Sequence, residues 1–253
     1  MLRRTFQHVP GIGEKTEQAL WRAGVRDWDD FAPALVRPLC KESIRLAAEG
    51  VLEESRAALA RADAAWFAGR LPRHEAWRLF PDFERGAGYL DIETTGVSGD
   101  DAVTVVGLSD GTRFESFVAG KNLDEFPDAI RRFRVLVTFN GIRFDVPFLK
   151  RAFPRAEIPE AQLDLRCVFA KLKLTGGLKK IEQALGIERP EDVVGINGWQ
   201  AVVLWQRWLE GDEEALDLLV RYNRADVEGL PALLRIATER ARARVASALG
   251  EGA

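Results

Sequence analysis

The run Tyr89-Leu-Asp-Ile-Glu93 sets two carboxylates two residues apart inside an apolar strand pattern. Side chains alternate faces along a strand, so Asp91 and Glu93 point the same way, at its carboxyl end. The flanks argue for burial: Tyr89, Leu90 and Ile92 suit a central strand, and Thr94-Thr95-Gly96 turns the chain sharply after it. Two like charges on one face of a buried strand are costly without a compensating cation. Cysteine and histidine offer no alternative metal site, because the 253 residues hold only Cys40, Cys167 and two histidines. Any metal here is expected on carboxylates.

Two further acids fall where such a site needs them. Asp145 lies just past a strand predicted over 134–139, in Thr138-Phe-Asn-Gly-Ile-Arg-Phe-Asp-Val-Pro-Phe148. Loops after the carboxyl ends of strands are where open α/β sheets place ligands. The same residue suits the N-cap of the next helix, with Pro147 early in it, and the two roles are compatible. Tyr222-Asn-Arg-Ala-Asp226 then sets a tyrosine and an aspartate at i and i+4, on one helix face.

The surrounding pattern predicts an α/β fold. Residues 1–40 read as a small helical unit around the turn Pro10-Gly11-Ile12-Gly13, with helix 14–23 and a second short helix capped by Asp27. Leu20, Trp21, Val25, Trp28, Phe31 and Leu35 are its expected inward residues. Residues 41–85 form a helical spacer, and Pro/Gly punctuation places a boundary near 85. From 88 the period changes to that of strands: 89–93, 102–108 and 113–118, then 134–139, a helix over 146–153 and a fifth strand over 161–165. Helices are expected over 166–173, 178–185, 199–209 and from 212 through about 234, within a main domain of 86–240 and a tail of 241–253. This order suggests a mixed sheet flanked by helices.

Composition narrows the function classes. A hydrophobic fraction of 47% supports a sizeable core and excludes disorder as the main state. No apolar run approaches a membrane span and the start lacks a secretory pattern, so a soluble, cytoplasmic chain is expected. The net charge of −3 divides into +2 over residues 1–80 and −5 over 81–253. That balance argues against a protein that coats nucleic acid electrostatically, but not against an enzyme whose acids are neutralised by bound metal.

Taken in order and spacing, Asp91-x-Glu93, Asn140-x-x-x-Phe144-Asp145 and Tyr222-x-x-x-Asp226 resemble the DEDD proofreading-exonuclease superfamily, on its ribonuclease-H-like fold. The tyrosine places the resemblance in the DEDDy branch, and the sequence is most similar to the YprB-type ribonuclease-H-like domain family. The resemblance covers roughly 86–240 and extends to Gly177-Leu-Lys-Lys-Ile-Glu182, to residues 195–205 and to Tyr222-Asn223. It implies two divalent cations, Mg²⁺ or Mn²⁺, on Asp91, Glu93, Asp145 and Asp226. It also implies Tyr222 orienting the attacking water, and hydrolysis of DNA or RNA from a single-stranded 3′ end.

For the substrate, the expected contacts are Thr94, Asn140, Phe144, Lys179 and Lys180. Phe144 and Phe148 fit either base stacking or core packing, and Lys171, Lys173, Lys179 and Lys180 either a phosphate seat around Thr175-Gly176-Gly177 or a solvated surface. Asp164 is read as a capping or supporting acid. The N-terminal Gly11 and Gly13 resemble a helix-hairpin-helix phosphate contact, against which stand the short preceding segment and the nearby Glu14 and Glu17; packing or partner docking is the alternative. A competing reading of the whole chain is a nucleic-acid-binding module with weak or no catalysis, serving a replication or repair complex.

Overall fold

The structure, a computed structural model, describes residues 1–98 and 100–250. Residues 251–253 of the expected tail lie outside the described residues. The chain opens with α1 (Glu14–Arg22), α2 (Pro33–Val36), α3 (Glu42–Ala60), α4 (Ala64–Ala68) and α5 (Phe80–Phe83). Strands β1 (Ala87–Thr94), β2 (Val103–Ser109) and β3 (Phe114–Val118) follow, then α6 (Phe126–Ile130), β4 (Val135–Thr138), α7 (Asp145–Ala152) and β5 (Ala161–Asp164). The remainder is helical: α8 (Leu165–Lys171), α9 (Leu178–Leu185), α10 (Gly198–Leu209) and α11 (Glu213–Leu249).

The five strands make one mixed sheet in the order β3-β2-β1-β4-β5. β1 is central, antiparallel to β2 and parallel to β4. Its pairing with β4 covers only Ala87 to Tyr89, so the carboxyl end of β1 runs on past its parallel neighbour. This is the α/β architecture that the sequence predicts, a mixed sheet flanked by helices with a helical region before it.

Alternation along β1 sorts the core into two faces. Leu90 and Ile92 join Val106, Leu108, Leu136, Phe126 and Leu149 on the side covered by α6 and α7. Tyr89 lies opposite, with Val135, Val137 and the α11 residues Val227, Leu230 and Leu234. That second cluster continues without a break into Leu2, Phe6, Leu20, Trp28 and Phe67 of the N-terminal region. The first 85 residues therefore share a core with the sheet.

α11 starts at an Asp212 cap on Ala215 N, has Glu213 and Glu214 in its first turn, and ends at Gly250 with φ 74°. It runs through Pro231 to Leu249, beyond the expected stop near 234, because Leu233, Leu234, Ala237 and Ala241 keep its inner face buried. In the N-terminal region Leu35 departs from expectation. Asp27 caps only a 3-10 turn at Trp28–Asp30, Pro33 starts a new helix, and Val36 takes the inward position while Leu35 is 43% exposed. Among the described residues no helix is long and apolar enough to cross a membrane.

Candidate metal centre

β1 supplies the first two acids from the end that runs past β4 while still paired with β2, and α11 supplies the third from across the sheet face. One carboxylate oxygen each from Asp91, Glu93 and Asp226 lies within 4.8 Å of the other two. Glu93 and Asp226 are buried, and Asp91 retains part of its surface. Asp145 is not in this triad, although it is buried against it. It is the first residue of α7 rather than its N-cap, which is Phe144, and its Oδ1 accepts the Ile92 N–H at 3.2 Å. The fourth acid is thus tied to the backbone between Asp91 and Glu93.

Burial first, then mutual repulsion, pushes Asp91 and Glu93 well above the usual carboxylate range. Burial raises Asp145 to about 7, against the opposing pull of its backbone hydrogen bonds. Asp226 is also raised by burial, but the Arg189 guanidinium, 2.5 Å from its Oδ1, works the other way. A set of carboxylates that would each give up charge in a dry cluster is what a hard divalent cation stabilises, and the donor set holds no nitrogen or sulfur. The residues present fit such an ion.

Tyr222 lies one turn before Asp226, and burial followed by the charges of Asp226, Glu93 and Asp91 pushes its phenol above the normal range. It is held neutral, and its hydroxyl accepts from Lys179 Nζ at 2.7 Å. The same ammonium stands 4.3 Å from the Tyr222 ring centroid and donates to Ile196 O. Lys179 is therefore built into the site wall, whereas Lys180 is exposed. Lys171 pairs with Glu14 at 2.6 Å, so the four lysines do not converge on one phosphate seat.

The other sequence candidates separate by what they touch. Thr94 is buried and its hydroxyl donates to Gly96 O, closing the turn after β1. Asn140 has φ 73°, donates its N–H to Asp164 Oδ1 at 2.8 Å and accepts from Arg166 Nη1 at 2.7 Å, which shapes the loop before α7. Asp164 also accepts from Ile142 N and caps α8 through Arg166 N. Phe148 is a core residue, and half-buried Phe144 packs on it at 4.8 Å between centroids. Gly11 and Gly13 are exposed at the N-terminal hairpin, where Gly11 closely faces Ile44 of α3.

Four residues outside the predicted site set bear on the acids, Asn223 and Gly107 around Asp91 and Arg189 and Glu182 around Asp226. Asn223 donates from Nδ2 to Asp91 Oδ2 at 3.1 Å and to Asp91 O at 3.2 Å. Gly107, opposite Asp91 in the ladder, makes room for it: a Cβ there would lie 2.1 Å from Asn223 Oδ1. A glycine amid the β-branched run of β2 was the available signal of a close approach. Glu182 and Asn223 fell within stretches that the resemblance covers but had no role assigned, and Arg189 gave no signal, since a lone arginine before Pro190 reads as a loop residue.

The family described as RNase_H_2, of the RNase_H superfamily, matches residues 88–238. No curated protein matches the chain. Among solved structures the chain is similar to the family B DNA polymerase from the hyperthermophilic archaeon Pyrobaculum calidifontis, with 20% identity and a TM-score of 0.47, over 59% of this chain and 24% of that one. It is also similar to the Aedes aegypti Nibbler EXO domain, with 11% identity and a TM-score of 0.45, over 68% of this chain and 86% of that one. The match spans about a quarter of the polymerase's length.

Proposed function

Because the chain belongs to the ribonuclease H superfamily, we propose that it is a metal-dependent nuclease, acting as a 3′–5′ exonuclease on DNA or RNA. The observation that carries this reading is the triad of half-buried Asp91 with buried Glu93 and Asp226, whose oxygens lie within one cation's reach of each other. Asp145, against the same strand, is the fourth acid of the site. Asp91, Glu93, Asp145 and Asp226 would together hold two Mg²⁺ or Mn²⁺ ions, which would supply the positive charge that phosphodiester hydrolysis needs at the reacting phosphate.

The chain's own groups then divide the work. Asn223 fixes Asp91, and the Ile92 N–H fixes Asp145, so both carboxylates are aimed before substrate arrives. Tyr222, held protonated by its surroundings, orients a water molecule and does not act as a base. Lys179 holds the phenol from one side and pins the 196 carbonyl on the other. Lys180, Phe144 and Thr94 line the approach of the 3′ end in this reading, and the exposed hairpin of Gly11 and Gly13 offers a second contact for the nucleic acid. We read residues 86–240 as the nuclease domain, 1–85 as its helical support and 241–253 as its C-terminal segment.

The test uses single-stranded RNA and DNA oligonucleotides labelled at either end, with Mg²⁺, Mn²⁺ or a chelator, and Asp226→Ala purified in parallel. Shortening from the 3′ end is expected in the presence of metal, with the rate falling on the order of a hundredfold or more in the variant. Full-length substrate under every condition, with metal binding intact, would leave a binding module in place of an enzyme.

A further inference from the structure

Arg189 is an unexpected presence beside three acids that need a cation. It leaves the loop after α9 and its side chain is 9% exposed. Its Nε donates to Glu182 Oε2 at 2.6 Å, and its Nη2 stands 2.5 Å from Asp226 Oδ1. Glu182 is itself 2% exposed and is seated by a glycine: at Gly229, one turn after Asp226, a Cβ would lie 2.6 Å from Glu182 Oε1. The guanidinium is therefore gripped at its base and cannot swing away as a loose surface arginine does.

We propose that Glu182 and Arg189 form a clasp that positions Asp226, holding its carboxylate toward Asp91 and Glu93 before any metal binds. The inference rests on the metal-site reading given above. Asp226 needs such a device more than its partners do. Asp91 and Glu93 are held together by one strand, whereas Asp226 comes from a helix and must approach two like charges. Glu182 and Arg189 cancel each other's charge, so the clasp directs the carboxylate while adding no net charge to repel the incoming ion. Arg189 is a positioning residue and takes no part in the chemistry.

Mn²⁺ binding to the full chain, followed by the electron paramagnetic resonance of free and bound ion, tests this without relying on turnover. Replacing the clasp as a whole, in E182Q/R189M, leaves the net charge of the site unchanged. The expected result is a Kd for Mn²⁺ about tenfold or more higher, with an altered spectrum of the bound ion and a cooperative melt. Arg189→Lys, which keeps the charge but not the fork, falls between the two. Unchanged Mn²⁺ affinity in the folded double variant overturns the proposal. Should that variant not fold, Gly229→Ala displaces Glu182 with every charge in place, and it must weaken Mn²⁺ binding in the same direction; unchanged affinity there overturns the proposal equally. A wild-type chain that binds no Mn²⁺ overturns the metal-site reading itself, an outcome distinct from intact binding that ignores the clasp.

Discussion

Asp91, half-buried, and Glu93, buried, are two residues apart on one strand face and turned toward Asp226, and each is pushed above the usual carboxylate range. For an acid whose folded pKa exceeds its unfolded one, the folded state binds more protons, so stability increases as pH falls through the folded value. Asp145, at about 7, puts part of this change near neutrality. The metal-free protein should therefore gain stability from pH 8 toward 6, before ordinary carboxylates protonate and reverse the trend. Asp91→Asn removes one of the repelling charges and keeps an acceptor for Asn223. It is expected to raise metal-free stability by about 1 kcal/mol while abolishing cleavage. Thermal melts in chelator at several pH values check both; a less stable Asp91→Asn would mean that repulsion is already relieved within the protein.

At the scale of elements, the site depends on the meeting of β1, β2 and α11. β1 overruns β4 and leaves its last acids unhindered, and α11 crosses the sheet face close enough for Asn223 to reach the β1 backbone. Gly107 permits that approach. Gly107→Ala would drive a methyl into Asn223 Oδ1 and to 2.9 Å from Val227 Cγ2. The expected cost is about 1–3 kcal/mol, with cleavage reduced because Asn223 loses Asp91. Adding Asn223→Ala should restore part of the stability and none of the activity, read by chemical denaturation and the oligonucleotide assay. A Gly107→Ala chain of wild-type stability and rate would refute the close approach.

At the scale of the whole molecule, a buried charge network inside the N-terminal region ties its first residues and α1 to the segment that leads into β1. Arg78 meets Glu17 at 2.8 Å and Glu75 at 2.6 Å, and its Nη1 donates to Thr5. Glu17 also accepts the Phe6 N–H and the Gln7 amide. Glu17, one of the two acids that argued against a phosphate contact at the hairpin, is thus turned inward as the anchor of this network. Arg78→Met would strand two buried carboxylates, at a cost of about 3–5 kcal/mol. Since the aromatic core of this region is continuous with the sheet, the variant should still unfold in one transition, shifted downward, in a denaturant titration followed by tryptophan fluorescence. Two separated transitions would show that the region folds independently.

Local pattern alone was enough for most of the architecture. Period-2 runs marked five strands and 3.6-residue runs marked the later helices, because alternation and amphipathicity are properties of neighbouring residues. The same logic put Asp91 and Glu93 on one face, and order and spacing added Asp145, Tyr222 and Asp226. What local pattern does not carry is contact across the fold. The hold of the Glu182–Arg189 clasp on Asp226, the reach of Asn223 past Gly107, the tie from Ile92 N–H to Asp145, and the core position of Phe148 each join segments far apart in the chain. Leu35 shows the same limit, since helical spacing marked it as inward until Pro33 restarted the helix and Val36 took its place. The proposed metal chemistry is legible in residues 89–93 alone, because like charges on one buried strand face call for a cation wherever that strand lies. Which three acids share one point, and what holds them there, follows instead from contacts across the fold, because it depends on where α11 and the loop after α9 come to rest against the sheet.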